Sequence, residues 1–169
     1  ADKTAVQRGY ATSEPIQVEA QAGFKPLAFS LADAGWSTYG MVIETRKDMV
    51  EKKPDVVRRF VEASNIGWYN YLYGDRSAAD KMIREVNPDI TPEYTAKSIA
   101  ILREHIDSGD ALTQGIGAVN PERIKDFYKK TVDAGLLTAG QINPEASFTT
   151  RFVNKGTGLD LRKKLTSAK

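Results

Sequence analysis

The sequence predicts an α/β fold in which strands occur only near the start of the chain. Short apolar segments bounded by glycine or proline precede Lys47, and apolar residues spaced three or four apart dominate after it. A sheet of this kind usually has about five or six strands. Three predicted strands are too few, so we expect part of the sheet to lie outside this sequence.

The first part of the chain predicts a strand, a helix and two further strands. Ser13 and Pro15 are typical of a helix start and Gly23 of a helix end, so we expect a helix over residues 16–22. The flanking segments are short and apolar or rich in β-branched residues, as strands are. The predicted strands are residues 4–10, 26–31 and 39–45.

The strongest helical pattern begins at Pro54, a residue that suits the first position of a helix. Apolar residues follow one face of this helix, and we expect its aromatic members to lie in the core. Polar residues occupy the opposite face. The apolar stripe is Val57, Phe60, Val61, Ser64, Trp68, Tyr71 and Leu72, and the polar face is Asp55, Arg58, Arg59, Glu62 and Asn65.

Further helices are predicted after Gly74. One of them carries the apolar face Thr95, Ile99, Leu102 and Ile106, and another runs from the N-cap Asn120 to a glycine stop at Gly135. The tail from Lys155 is rich in Gly, Lys and Arg, and we expect the last residues to fray. The remaining predicted helices are residues 78–86 and 146–153.

Composition excludes several classes of function. The 24 Lys and Arg nearly balance the 22 Asp and Glu, so the charge of +2 does not draw the chain to nucleic acid. The absence of cysteine excludes thiolate metal sites and cysteine nucleophiles. The one histidine, His105, lies in a helical run and is expected to be structural or solvated. We therefore expect no catalytic residue, no metal and no cofactor.

The segment from Tyr10 to Glu14 is the best candidate for a ligand site. It joins an aromatic ring, the hydroxyls of Thr12 and Ser13 and a carboxylate where a strand ends and a helix begins, which is where open α/β sheets bind ligands. Glu14 would favour a cationic or hydrogen-bond-donating group over an anion. Spacing alone also admits a structural interpretation, in which Ser13 is an N-cap and Glu14 a first-turn acid.

Several stretches resemble one protein family. They are Gly-Tyr-Ala-Thr-Ser-Glu-Pro at 9–15, Leu-Ala-Asp-Ala-Gly-Trp at 31–36, the Lys-Lys-Pro-Asp-Val-Val-Arg-Arg-Phe-Val-Glu-Ala helix start at 52–63 with Gly-Trp at 67–68, Gly-x-Gly at 115–117 and Ala-Gly-Leu-Leu at 134–137. Together they resemble the C-terminal half of type II periplasmic solute-binding proteins, in the branch for thiamine-pyrimidine precursors, riboflavin, nitrate, taurine and sulfonates.

The resemblance implies a periplasmic-binding-protein-like two-lobed clamp, here incomplete. Residues 1–38 would belong to lobe two, residues 39–46 would form the return crossing and residues 47–169 the helical part of lobe one. Trp36 and Tyr39 would then join Tyr10, Thr12, Ser13 and Glu14 at the ligand cleft. Because Ala1 is not Met, we also expect a processed or truncated N-terminus, with any signal peptide upstream.

The resemblance further implies a role in transport. A monomeric, periplasmic or lipid-anchored binder would capture a small organic solute and deliver it to an ABC permease. Two alternatives stay open. The fungal pyrimidine synthases share the fold but use a cysteine-rich motif that this chain lacks, and the effector domain of a regulator would need a helix-turn-helix upstream.

Overall fold

A computed structural model describes residue 2 and residues 4–167. Within that part the fold consists of α-helices, connecting loops and one short 3-10 turn at Pro144–Ala146. The helices are α1 Glu14–Ala22, α2 Lys47–Lys52, α3 Pro54–Tyr73, α4 Ser77–Val86, α5 Pro92–Ile106, α6 Ala111–Gln114, α7 Pro121–Asp133 and α8 Leu159–Ser167.

The three predicted strands are not formed, and the predicted α/β arrangement is therefore not observed over residue 2 and residues 4–167. Residues 5–10, 24–29 and 41–46 run outside regular secondary structure, and no backbone hydrogen bond joins one of these segments to another. Their apolar side chains are largely exposed: Val6 by 99%, Phe29 by 89% and Met41 by 85%. A strand exists only when its N–H and C=O groups find a neighbouring strand, and these segments have none within the described chain.

Helix boundaries agree with the capping residues in the sequence. Gly23 ends α1 with a φ of 71°, Pro54 opens α3, and the helix predicted over residues 78–86 is formed as α4. Asn120 caps α7 by accepting a hydrogen bond from the Glu122 N–H at 3.0 Å through its side-chain oxygen. Local backbone requirements at helix ends therefore predicted most of the helices.

The main core forms where α3 crosses α5 and α8. Tyr69 and Leu72 are fully buried, and Ile99 of α5 and Ile116 pack against them. The Tyr69 hydroxyl accepts a hydrogen bond from the Ile116 N–H at 3.0 Å, so this buried phenol has a partner. A second cluster joins α3 to the C-terminal loop. It consists of Val57, Val61 and Phe152.

The predicted apolar stripe of α3 is partly wrong. Phe60 is 60% exposed and Trp68 38% exposed, whereas Asn65 from the predicted polar face is buried. The buried face consists of Val57, Val61, Asn65, Tyr69 and Leu72. The contacts of Asn65 explain the change, because its side-chain oxygen fits against Gly117, where an added Cβ would lie only 2.8 Å from it. On α5, by contrast, Thr95 and Ile99 are buried as expected.

The C-terminal region also differs from the prediction. The helix predicted over residues 146–153 is not formed, since residues 147–158 are non-helical, and α8 forms within the tail that begins at Lys155. The last residues, which we expected to fray, lie beyond residue 167 and outside the described part of the chain. Left-handed backbone at Asn154, Gly156 and Gly158 keeps residues 154–158 out of a helix before α8 begins. A buried carboxylate then fixes α8, since Asp107 accepts from Arg162 Nε at 2.7 Å and from the Tyr73 hydroxyl at 2.5 Å. Within residues 2 and 4–167, no helix combines the length and the apolar character needed to cross a bilayer.

Candidate functional site

The candidate turn from Tyr10 to Glu14 is held together by the Glu14 carboxylate. Glu14 Oε2 accepts hydrogen bonds from the Tyr10 N–H at 2.7 Å and from the Ser13 hydroxyl. These two bonds, the Ser13 bond first, hold the pKa of Glu14 below its usual value. Glu14 therefore stabilises its own turn. This agrees better with the structural interpretation of the segment than with a carboxylate that is free to bind a ligand.

Ser13 does not cap α1 with its side chain, although it occupies the N-cap position. Its hydroxyl donates to Glu14 instead, so the expected Ser13 cap is wrong in its bonding. Gly9 allows the carboxylate to come this close. A Cβ at Gly9 would lie 2.7 Å from Glu14 Oε2, which is inside van der Waals contact. The turn thus presents the Tyr10 ring, 58% exposed, and the half-buried Thr12 at its surface.

Helix α1 fixes this turn to α5. Ile16 is buried at the base of the turn, and Lys97 Nζ lies 2.7 Å from Glu19 Oε2. The Lys97 ammonium lowers the pKa of Glu19. Burial and the nearby Glu14 charge raise the pKa of Tyr94 on α5, which places that phenol in the electrostatic neighbourhood of the turn. The position of Tyr10 is therefore determined by helix packing at α5.

The second candidate segment, at Trp36 to Tyr39, is fixed to a different helix, α7. The Trp36 ring meets Phe127 edge to face, with centroids 6.4 Å apart. The Tyr39 hydroxyl accepts from the Asn120 N–H at 2.7 Å, and Lys130 Nζ donates to Gly35 O at 2.7 Å. Trp36 and Tyr39 are thus half-buried residues whose rings and hydroxyl already have protein partners.

Arg123 is the residue that the sequence did not reveal. Its Cζ lies 4.4 Å from the centroid of the Tyr39 ring, and its Nη2 donates to Thr38 O at 2.6 Å. Its Nε is buried and has no hydrogen-bond partner. Arg123 and Thr38 are 85 positions apart, so only the tertiary fold joins them. The sole local signal was an arginine in the first turn after a strong N-cap.

The two candidate segments meet beside Gly40. A Cβ atom on Gly40 would lie 4.0 Å from Tyr10 Cε1, which places the edge of the Tyr10 ring in contact distance of the residue after Tyr39. We call Tyr10, Tyr39, Gly40 and Arg123 the Tyr10–Tyr39 surface. It combines the exposed Tyr10 phenol just before α1, the Tyr39 ring of the loop between α1 and α2, and a guanidinium from the first turn of α7.

Two depressions of the described structure lie elsewhere. A shallow hollow of about 320 Å³ on α3 is lined by Ser64, Gly67, Trp68 and Tyr71. A crevice of about 180 Å³ between α3, α4 and α5 is lined by Tyr71, Ile83, Ile90, Tyr94, Thr95, Ser98 and Ile99. Neither is lined by a candidate residue of the sequence. Tyr10, at 58% exposure, lies on an open face of the structure.

Metal-ligating side chains are not clustered in the described part of the chain. Its His, Asp and Glu side chains form no group of three or more suited to a metal ion over residues 2 and 4–167. His105 is exposed, and its Nδ1 lies 2.9 Å from Ile101 O in its own helix, as expected for a structural histidine. The polar groups at the Tyr10–Tyr39 surface are suited to binding through stacking and hydrogen bonds.

A family model described as NMT1/THI5 like matches residues 2–76. The match includes all six residues predicted for the ligand site and continues to the end of α3. It confirms, over that segment, the predicted resemblance to the thiamine, nitrate and sulfonate branch of the type II periplasmic binding proteins. This family is associated mainly with solute binding and also includes synthases of the THI5 type. No curated protein and no solved structure matches the chain.

Proposed function

We propose that this chain, whose residues 2–76 match the NMT1/THI5-like family, forms part of the solute-binding component of an ABC importer. The observation that carries the proposal is the meeting of the Tyr10–Glu14 turn with the Tyr39–Gly40 segment inside the family-matched part of the chain. Two segments far apart in sequence thereby form one aromatic, hydrogen-bonding surface. Such surfaces hold small planar solutes by stacking and by directed hydrogen bonds.

The roles of the site residues follow from their surroundings. Tyr10 is the exposed ring and would stack on the solute, while the Thr12 hydroxyl at its side would donate or accept a hydrogen bond. Ser13 and Glu14 would shape the turn and hold Tyr10 in place. Trp36 and Tyr39 would form the opposite wall, because both are held on α7.

The two-lobed clamp remains part of this proposal. Residues 1–38 would belong to lobe two, residues 39–46 to the crossing and residues 47–169 to lobe one. The lobes would close on a solute held at the Tyr10–Glu14 turn and the Tyr39–Gly40 segment. The closed form would dock on a permease outside the cytoplasmic membrane as a monomer.

The synthase alternative has less support in this chain. Pyrimidine synthesis in the related enzymes uses a cysteine-rich motif and an active-site histidine, and here no cysteine is present and His105 is an exposed residue of α5. A regulator's effector domain would bind the solute in the same way and differ only in what it is joined to. We therefore propose binding for transport as the function.

An NMR titration tests the binding role directly. Because half of a cleft binds weakly, millimolar pyrimidines, sulfonates and aromatic acids are added to the ¹⁵N-labelled chain, and the Tyr10 and Gly40 amides are followed. We expect saturable shifts at both amides, lost in Tyr10→Ala. Phe60→Ala is the matched control, since Phe60 is 60% exposed on α3 and Tyr10 is 58% exposed.

The same compounds are then tested on the full-length parent protein by thermal denaturation. A ligand that binds only the folded protein raises its melting temperature with concentration. If no compound moves the Tyr10 and Gly40 amides and none raises the melting temperature of the parent protein, the proposal is wrong.

A further inference from the structure

We propose that the crevice between α3, α4 and α5 is a second binding site, which takes one neutral, apolar ring carrying a single hydroxyl group, as in phenol. The crevice has a volume of about 180 Å³ and is lined by Tyr71, Ile83, Ile90, Tyr94, Thr95, Ser98 and Ile99. It is separate from the Tyr10–Tyr39 surface, because no residue of that surface lines it. Binding in the crevice does not depend on the proposed transport role.

Three isoleucines form the apolar part of the crevice. Ile99 of α5 is buried in the main core, whereas Ile83 of α4 is 38% exposed, so the crevice runs from the core to the surface. Ile90, in the loop between α4 and α5, is half-buried. An apolar cavity of about 150 Å³ is large enough for benzene. The crevice can therefore take one six-membered ring with a small substituent.

Four hydroxyl groups line the crevice, and two of them have protein partners. The Tyr71 hydroxyl donates to Asp80 Oδ1 at 3.3 Å, and the Thr95 hydroxyl donates to the backbone carbonyl one turn earlier at 3.1 Å. Over residues 2 and 4–167, the hydroxyls of Tyr94 and Ser98 form no such bond. Both residues are half-buried, and neither oxygen is sealed from solvent, so a ligand in the crevice can reach them.

The two free hydroxyls are placed to bind one polar group. Tyr94 and Ser98 lie four residues apart on α5, so they share the face of the helix that borders the crevice. A hydroxyl donates one hydrogen bond and also accepts, so this pair can bind the hydroxyl of a ligand in either sense. Sites for small molecules combine an apolar wall with a few polar groups that fix orientation. The ring would lie against the isoleucines and its hydroxyl would point to α5.

The charges around the crevice oppose an anion. Burial and the Glu14 charge raise the pKa of Tyr94, and burial and the Asp80 charge raise the pKa of Tyr71. The same two carboxylates would disfavour a negative charge on a ligand beside these phenols. The isoleucines disfavour any charged ring and any ring with polar atoms around its edge, because those atoms would lose water without gaining partners. A neutral hydrocarbon ring with one hydroxyl meets each of these conditions.

Four compounds with one six-membered ring provide the test: phenol, toluene, 5-hydroxypyrimidine and benzoate. Each is titrated into the ¹⁵N-labelled chain while the Ile83 and Ser98 amides are followed. We expect saturable shifts at both amides with phenol. Toluene lacks the hydroxyl and 5-hydroxypyrimidine adds two ring nitrogens, so each should bind about 3–10-fold more weakly, as for one hydrogen bond lost or left unmade. Benzoate should shift neither amide.

Substitutions then locate the site. Ser98→Leu fills the crevice and should abolish the phenol shift at Ile83 without lowering the melting temperature. Ser64→Leu is the matched control, because Ser64 is also a half-buried helical serine but lines the hollow on α3 instead. Tyr94→Phe keeps the ring and removes the hydroxyl, so it should lower phenol affinity about 3–10-fold and leave toluene affinity unchanged. Circular dichroism checks that each variant is folded.

The outcomes separate this crevice from the Tyr10–Tyr39 surface. The phenol shifts at Ile83 and Ser98 should persist in Tyr10→Ala. If phenol shifts neither amide, or if its shifts survive Ser98→Leu in a folded protein, the crevice is not a binding site, whatever binds at Tyr10. If Ser98→Leu does not fold, Tyr94→Phe decides, and an unchanged phenol affinity overturns the site. If toluene, 5-hydroxypyrimidine or benzoate binds as tightly as phenol, the ligand class is wrong.

Discussion

Replacing Asp107 by alanine should strongly destabilise the fold, because this carboxylate joins three helical elements. Its side chain is fully buried, and it accepts two hydrogen bonds from Arg162 of α8 and one from Tyr73 of α3. Removing one partner of a buried ion pair costs about 3–5 kcal/mol. The Arg162 side chain is 32% exposed and can regain water, so we expect the lower end of that range, about 3 kcal/mol.

Urea unfolding followed by circular dichroism measures this loss. About 3 kcal/mol corresponds to a fall in melting temperature of about 6–12 °C for a chain of this size. Asp133→Ala is the control, because its ion pair with Lys129 is exposed and should leave the unfolding midpoint unchanged. The double variant Asp107→Ala/Arg162→Met should lose less than the sum of the single losses. A loss below about 1 kcal/mol for Asp107→Ala would show that α8 is held by other contacts.

Three further predictions concern titration, backbone strain and exposure. Burial and the Asp107 hydrogen bond raise the pKa of Tyr73 to about 12, so the neutral phenol stabilises the fold fully below pH 10 and this stabilisation is lost as the pH rises to 12. Urea unfolding should therefore show a fall of about 2–3 kcal/mol in the free energy of unfolding between these pH values, and the fall should be absent in Tyr73→Phe. Gly158→Ala should lower the free energy of unfolding by about 2–4 kcal/mol, because φ is +86° and the Cβ would lie 2.5 Å from Tyr69 Cδ2. Gly109 is also left-handed but has open space around it, so Gly109→Ala should cost about 1 kcal/mol in the same urea assay. The double variant Leu27→Lys/Phe29→Lys should leave the melting temperature of this chain unchanged, since the two residues are 88% and 89% exposed. It should also reduce self-association measured by light scattering, because it removes exposed apolar side chains. A fall in melting temperature would show instead that the two side chains are buried in a core.

The helices were predictable from the sequence because their signals are local. Proline at the first position, asparagine or threonine at the N-cap and glycine at the C-terminus act within one turn. The orientation of α3 was less predictable. Asn65 is buried because it fits against Gly117, and Trp68 is exposed because the main core is built on Tyr69. Which face of α3 is buried therefore depends on contacts with distant parts of the chain.

In the candidate site, too, features set by local sequence could be predicted and features set by distant contacts could not. The Tyr10–Glu14 turn could be predicted, since an aromatic residue, hydroxyls and a carboxylate sit at a helix start. The hydrogen bonding of Glu14 within its own turn could not be predicted, because it depends on the absence of a Cβ at Gly9 and on the geometry of the turn. Arg123 was marked in the sequence only by its place in the first turn after an N-cap, because its contacts with Thr38 and Tyr39 arise from the tertiary fold.

The segments predicted as strands connect these observations to the proposed clamp. Residues 24–29 and 41–46 combine exposed apolar side chains with backbone groups that pair with no other segment of the described chain. Water can solvate the backbone groups, but the exposed Leu27, Phe29 and Met41 gain about 1.5–3 kcal/mol each only when they are buried. A lipid or a helix could cover the side chains without pairing the backbone, whereas neighbouring strands would do both. That requirement supports the proposal that these segments complete a sheet in the two-lobed protein. There, Leu27→Lys/Phe29→Lys should be strongly destabilising although it is neutral in this chain.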